Sequence, residues 1–212
     1  MKVLSITLGF LILSVCSFSQ SEKYTKSMEK NISALDSAQT AEDFQAVSAA
    51  FERIGDAEKT QWLPYYYAAL AQELKGFTDQ KTDKDQLASQ AEALIAKAEA
   101  IDPKNSELYL LKNMAATLHM LVDPMNRWQQ YGAKASEALA TAKQIDPQNP
   151  RIYLMEGQSL MNTPAAMGGG KDKAKSAFEK SVTLFNSFKP ASSLHPAWGR
   201  ERAAALLQAA SK

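Results

Sequence analysis

The segment Ile101-Asp-Pro-Lys-Asn-Ser-Glu-Leu-Tyr-Leu110 occurs a second time, 44 residues later, as Ile145-Asp-Pro-Gln-Asn-Pro-Arg-Ile-Tyr-Leu154. Self-similarity at a fixed spacing indicates repeated structural units, each of which buries its apolar side against the next unit. In each copy the proline is expected to end one helix, because it cannot continue the hydrogen-bond ladder. The tyrosine that follows is expected on the buried side of the next helix.

The similarity extends upstream of each proline. Two small residues flank a larger one at spacings that place all three on one stripe of a helix, where a neighbouring helix can approach closely. The stripe occurs three times, as Ala91/Ile95/Ala98, as Ala135/Leu139/Ala142 and, in a degenerate copy, as Ala174/Phe178/Ser181. Gly157 is expected to permit a further close contact.

The rest of the chain also favours helix, because Ala, Leu, Glu, Lys, Gln and Met dominate it after residue 20. We predict an all-α fold of about nine helices, at 22–38, 41–54, 60–75, 83–101, 106–122, 124–145, 150–162, 171–187 and 196–210. Helix starts are indicated by capping-box patterns at 40–43 and 82–85, and by a cap residue before each of Pro124 and Pro150. Pro196 is expected to start the last helix.

This pattern resembles the tetratricopeptide repeat, carried here by Tyr109 and Tyr153, Gly157, the three stripes, and Pro103 and Pro147. The resemblance implies antiparallel helix pairs stacked into a superhelical array over residues 59–188. The family's period is 34 residues, so the spacing of 44 implies lengthened helices or turns, in a regular superhelix or a more closed domain. Residues 20–58 are expected to form an N-terminal helical pair, and 189–212 a C-terminal capping helix. Stretches 163–171 and 189–199 resemble secreted bacterial repeat proteins of this type.

The N-terminal stretch has the pattern of a signal peptide. A lysine at position 2 precedes an apolar run of residues 3–15, which is short for a membrane span, and small residues at 17 and 19 suit cleavage after Ser19. We therefore predict export to the periplasm or cell envelope, with 1–19 removed and no membrane span after processing. An uncleaved anchor and lipidation at Cys16 are the alternatives.

Composition excludes several classes of protein. The 212 residues suffice for one medium domain with a sizeable core. Lys and Arg total 24 against 23 for Asp and Glu, a balance that argues against a nucleic-acid-binding role. One Cys and two His residues exclude a disulfide framework and an all-protein zinc site.

No arrangement of residues predicts catalysis, so we expect no enzyme and no cofactor. His119 and His195 are far apart in sequence and lack a second ligand at helical spacing, so packing or surface positions are expected for both. The carboxylates are expected on solvated helix faces. Gly168-Gly169-Gly170-Lys171 lacks the context of a nucleotide-binding loop and predicts a turn between helices.

Binding is the function that remains. Three consecutive tyrosines, 65–67, cannot all face one core if each step rotates by about 100°, so at least one is expected to be accessible. Trp128 and Tyr131, and methionines such as Met125 and Met167, suit either irregular packing or an adaptable groove.

In tetratricopeptide folds the first helix of each unit lines a concave groove. That resemblance predicts a groove that binds a protein or peptide partner, lined by Tyr66, Leu110, Met114, Thr117, Leu154, Gln158 and Met161. We predict a non-catalytic scaffold for protein–protein interaction. The alternative is a carrier that binds a small or hydrophobic ligand in an apolar groove between helices.

Overall fold

A computed structural model of the chain describes residues 22–212, and the predicted leader 1–19, with Cys16, lies outside this range. The described part contains nine α-helices, one short 3-10 helix and no strand, which confirms the all-α prediction. The helices are α1 (22–37), α2 (Ala41–Glu58), α3 (Trp62–Thr78), α4 (Lys84–Ile101), α5 (Ser106–Val122), α6 (Pro124–Ile145), α7 (Pro150–Asn162), α8 (Lys171–Ser187) and α9 (Arg200–Ala210), with the 3-10 helix at Ala165–Met167.

Consecutive helices pack against each other along the chain from α2 to α9. Short connections between packed neighbours make them antiparallel. In addition α3 packs against α5, and α5 contacts α7. These three helices therefore form an inner row, while α4, α6 and α8 pack beside them, as expected of stacked helix pairs.

The small-large-small stripes hold the pairs together, as their spacing predicted. Eight of the nine stripe residues are buried, and Leu139 is partly buried against the main core. Gly157 allows α7 to approach α8 so closely that a Cβ atom at this position would lie 2.4 Å from Cε1 of Phe178. The stripe and the glycine therefore set the distance between helices.

Local sequence signals explain most helix ends. Thr40 forms a complete capping box at the start of α2, and Asp123 and Asn149 cap α6 and α7 ahead of their prolines. The predicted capping box at 82–85 is wrong. Asp83 is the residue that caps α4, by accepting a hydrogen bond from the backbone N–H of Gln86.

The last helix begins at Arg200, four residues later than its proline predicted. The carbonyl oxygens of Pro196 and Trp198 accept hydrogen bonds from the Arg151 guanidinium at 3.0 and 3.1 Å, so they are not part of a helical ladder. Gly199 has a φ of 108°, which breaks the helical path just before α9.

This C-terminal segment crosses the inner row of helices and is hydrogen-bonded to both α7 and α3. Tyr67 of α3 donates a hydrogen bond to the Leu194 carbonyl at 2.9 Å, and the Trp198 indole N–H donates to the Tyr66 hydroxyl at 2.8 Å. These hydrogen bonds fix the C-terminal segment against the buried side of α3.

The expectation that one of the three tyrosines is accessible is wrong: Tyr65, Tyr66 and Tyr67 are all buried. Helix α3 is covered by α2, α4 and α5, and the C-terminal segment covers the remaining side. From 63 to 73 every residue of α3 is buried, so the rotation between residues exposes none of the three tyrosines.

Candidate functional site

An exposed apolar surface lies at the turn between α5 and α6. Five large hydrophobic side chains are exposed in residues 22–212, and four of them lie within eight positions of the chain. We call these four the α5–α6 apolar surface: Leu121, Val122, Met125 and Trp128. A contiguous group of exposed apolar side chains usually marks a place where a ligand or partner binds.

A cleft of about 440 Å³ adjoins this surface. Leu121 and Val122 form part of its wall, and the end of α3 and the start of α4 form the rest. The lining residues are Phe77, Gln80, Thr82, Asp83, Lys84, Leu121 and Val122. The volume lies within the range of clefts that hold small molecules.

The turn has a defined backbone, because α6 starts with a strong cap. The Asp123 carboxylate accepts hydrogen bonds from the backbone N–H of Asn126 and, at 2.7 Å, from its side-chain amide. These hydrogen bonds, the side-chain one foremost, lower the pKa of Asp123. Met125 and Trp128 are three residues apart on the first turns of α6 and so share a helix face.

A polar cluster attaches this turn to α4. The Arg127 guanidinium donates to both carboxylate oxygens of Asp85, at 2.7 and 2.8 Å, and to the backbone carbonyl of His119. Nδ1 of His119 lies 2.6 Å from the same carboxylate, and its ring stacks on Tyr131. The hydrogen bonds from Arg127 and His119 lower the pKa of Asp85. His119 therefore serves in packing, as predicted, and does not line the cleft.

The seven residues predicted to line a partner-binding groove divide into two groups. Tyr66, Leu110 and Leu154 are fully buried, Met114 is nearly so, and Thr117, Gln158 and Met161 are partly exposed. Helix α9 covers the α7 end of the row: Leu154 packs in one cluster with Ala203 of α9, and the Gln158 amide lies 3.0 Å from Nε of Arg202. Partner binding at these seven residues stays a prediction.

The α5 part of that set leads to the exposed surface. Met114, Thr117 and Leu121 follow one another at helical spacing along one side of α5. The predicted groove and the α5–α6 apolar surface therefore share this side of the helix.

A buried polar ladder connects the inner helices, and sequence reasoning missed it. Glu107 and Arg151 occupy the same position in the two copies of the repeat, 44 residues apart, and their side chains form an ion pair at 2.8 Å. The Tyr66 hydroxyl donates to Glu107 at 3.3 Å. The sequence does contain a signal for this ion pair. Stacked repeats bring equivalent positions together, and this position is Glu in one copy and Arg in the other.

Glu107 and Glu73 also correct the expectation that the carboxylates lie on solvated faces, since both are buried. Neither carboxylate oxygen of Glu73 has a hydrogen-bond partner. Burial raises the pKa of Glu73 well above its usual range, and the nearby Glu92 raises it further. Glu73 lies in the part of α3 that is buried on every side, 63–73, and periodicity within one helix cannot predict such burial.

No helix between residues 22 and 212 has the length and apolar character of a membrane span. Over the same residues, no group of three His, Cys, Asp or Glu side chains is placed to bind a metal ion.

The fold matches that of a solved haemophore. The structure of the HusA haemophore from Porphyromonas gingivalis superimposes with a TM-score of 0.81, covering 88% of this chain and 92% of that one, at 37% sequence identity. This chain belongs to the family of that haemophore. No family model and no curated protein matches the sequence, so the tetratricopeptide relationship stays a prediction.

Proposed function

We propose that this chain is an exported, non-catalytic carrier that binds haem at the α5–α6 apolar surface and its cleft. The observation that carries the proposal is an exposed apolar surface beside a ligand-sized cleft, on the fold of a haemophore. The relationship to a haemophore favours the ligand carrier, the alternative from the sequence, over the protein-binding scaffold.

The chemistry of the cleft suits haem, which has a flat apolar ring and two carboxylates on one edge. Phe77, Leu121 and Val122 offer apolar contact for the ring. Lys84, at the start of α4, offers a cation for a carboxylate, and within residues 22–212 it forms no ion pair. The positive end of the α4 dipole adds to this attraction, while the Asp83 carboxylate, which caps the helix, opposes it.

Export is part of the same proposal. A carrier of this kind acts outside the cytoplasm, and the signal-peptide pattern of residues 1–19 supports that location.

A matched pair of lysine substitutions tests the site. Val122→Lys puts a charge on the cleft wall, whereas Met167→Lys makes the same change at an exposed apolar residue on the 3-10 helix, outside the cleft. Both side chains are exposed, at 44% and 58%, so neither change should unfold the protein.

We expect Val122→Lys to weaken haem binding by about 10- to 150-fold, because contact with one valine side chain is worth about 1.5–3 kcal/mol when fully buried. Met167→Lys should bind haem as the parent chain does. Affinity is measured by absorbance titration, and circular dichroism confirms the fold of each variant. Equal affinities for the two variants would place the site elsewhere, and a parent chain that binds no haem would refute the proposed function.

A further inference from the structure

We infer that the buried carboxyl group of Glu73 makes the cleft sensitive to pH, because α3, α4 and α5 must separate beside the cleft before this group can lose its proton. The opening is a property of the ligand-free chain, and only its effect on binding rests on the proposed carrier function. Glu73 is 0% exposed, and neither of its carboxylate oxygens accepts a hydrogen bond from the described residues. An isolated carboxylate ion is very costly in an apolar interior, so ionisation requires that water reach it.

Glu73 lies one helical turn from the cleft. Phe77, which lines the cleft, follows it by four positions and therefore lies on the same side of α3. Phe77 packs against a cluster that contains Ala88 of α4 and Leu118 of α5. Water that reaches Glu73 from the cleft must therefore pass between these three helices.

The three helices meet tightly between Glu73 and the cleft. A Cβ atom at Gly76 would lie 2.9 Å from Cδ2 of Leu118 on α5 and 3.4 Å from Cδ1 of Leu87 on α4. Packing this close leaves no room for a water molecule beside Gly76. Hydration of Glu73 by this route therefore requires the helices to move apart.

The charges around Glu73 favour its neutral form. Burial raises its pKa well above the usual range, and the carboxylate of Glu92 on α4 raises it further. On α5, Nε2 of His119 lies 3.7 Å from Glu92, and its Nδ1 lies 2.6 Å from Asp85 of α4. His119 is thus engaged with these two carboxylates and forms no hydrogen bond with Glu73.

The polar groups on α2 and α3 are engaged elsewhere as well. The Ser48 hydroxyl of α2 accepts a hydrogen bond from the Gln72 amide at 3.0 Å. The Lys75 ammonium of α3 donates to Gln45 of α2 at 2.9 Å. None of these groups is hydrogen-bonded to Glu73, so ionisation in the closed form gains no compensating contact.

The direction of the effect follows from the raised pKa. The opened form exposes Glu73 to water, where a glutamate carboxyl has its ordinary pKa of about 4.5. Above that pH the opened form releases a proton that the closed form keeps. The opening constant therefore rises by about tenfold per pH unit until the pH reaches the pKa of the closed form. Below the ordinary pKa both forms are protonated, and Glu73 makes no contribution to the pH dependence.

Hydrogen exchange of the ligand-free chain, measured from about pH 5 to about pH 7, tests this opening. The amides compared are those of α4 and α5 beside the cleft that exchange faster than global unfolding allows, after correction for the intrinsic effect of pH on exchange. Glu73→Gln removes the titrating group. The matched control is Glu52→Gln, the same change at an exposed carboxylate on α2.

We expect the protection of these amides to fall by about tenfold per pH unit in the parent chain and in Glu52→Gln. Glu73→Gln should lose this dependence, although Glu92, His119 and Asp85 are all still present. With haem bound, the rate of haem release should rise with pH in the parent chain and not in Glu73→Gln, because the ligand leaves as the cleft opens. Titration of the haem carboxylates affects both chains alike, so the difference between them isolates Glu73.

Three results would overturn the inference. Protection that stays constant with pH in the parent chain would mean that no proton is released on opening. An equal pH dependence in Glu73→Gln would assign the proton to another group. A dependence confined to amides that exchange through global unfolding would remove the connection to the cleft. A parent chain that binds no haem would refute the proposed carrier function, whereas the exchange data would still decide whether Glu73 controls the opening.

Discussion

Replacing Glu107 by glutamine removes one negative charge from the centre of the polar ladder and keeps the shape of the side chain. The carboxylate accepts hydrogen bonds from Asn149 at 2.6 Å and from Arg151 through Nε and Nη2, at 3.1 and 2.8 Å. The Arg151 side chain is only 1% exposed, so its charge has no compensation from water once the carboxylate is lost.

Breaking a buried ion pair by removing one partner costs about 3–5 kcal/mol. The glutamine oxygen can still accept up to two hydrogen bonds, so we expect a loss near 3 kcal/mol, at the low end of that range. For a chain of this size each kcal/mol lowers Tm by about 2–4 °C, which gives a fall of roughly 6–12 °C.

The matched control is Glu52→Gln. Glu52 pairs with Lys97 at 2.9 Å, and both side chains are 44% exposed, so the same chemical change should cost less than about 1 kcal/mol. Urea denaturation followed by circular dichroism measures both variants. Combining Glu107→Gln with Arg151→Met should recover part of the loss, because no buried charge is then left alone.

Equal costs for Glu107→Gln and Glu52→Gln would refute the reasoning. The buried pair would then behave like a solvated one, and the interior of the inner row would have to be more accessible to water than the structure shows.

Three further changes test the interior and the packing of the array. Glu73→Gln should raise the free energy of unfolding at pH 7 and have little effect near pH 4. The pKa of Glu73 is raised in the folded state, so the wild type loses stability as the pH rises above the ordinary carboxyl pKa. Urea denaturation at both pH values checks this, and an equal effect at both would contradict a protonated carboxyl in the fold. Gly157→Ala should cost about 1–3 kcal/mol, because its new methyl group would overlap the Phe178 ring. A Cβ atom at Gly132 would lie 3.8 Å from its nearest neighbour, so Gly132→Ala should instead stabilise the chain by up to about 1 kcal/mol. Thermal melts measure the change in stability of both variants. A change of the same sign in both would contradict the packing described for Gly157.

The candidate site was only partly predictable. Met125 and Trp128 were recognised as residues suited to packing or to binding, but Leu121 and Val122 were placed simply at the end of a helix. Their exposure depends on which elements pack against the turn between α5 and α6, and no pattern within α5 or α6 contains that information. The tyrosines of α3 show the converse case, because periodicity predicted an accessible side chain and neighbouring helices cover all three.

The amino-acid sequence by itself determined the helices, most of their boundaries and the pairing of neighbours. These features depend on interactions between residues close in the chain: caps, prolines, and small residues at helical spacing that meet the adjacent helix. Only the tertiary structure decided which residues are inside. The contact between Glu107 and Arg151 and the position of the C-terminal segment across α3 each join residues that are distant in the chain. The burial of Glu73 and the exposure of the turn before α6 likewise depend on which distant elements pack around them. The burial of a side chain depends on all the elements that surround it, and these come together only when the helices are assembled.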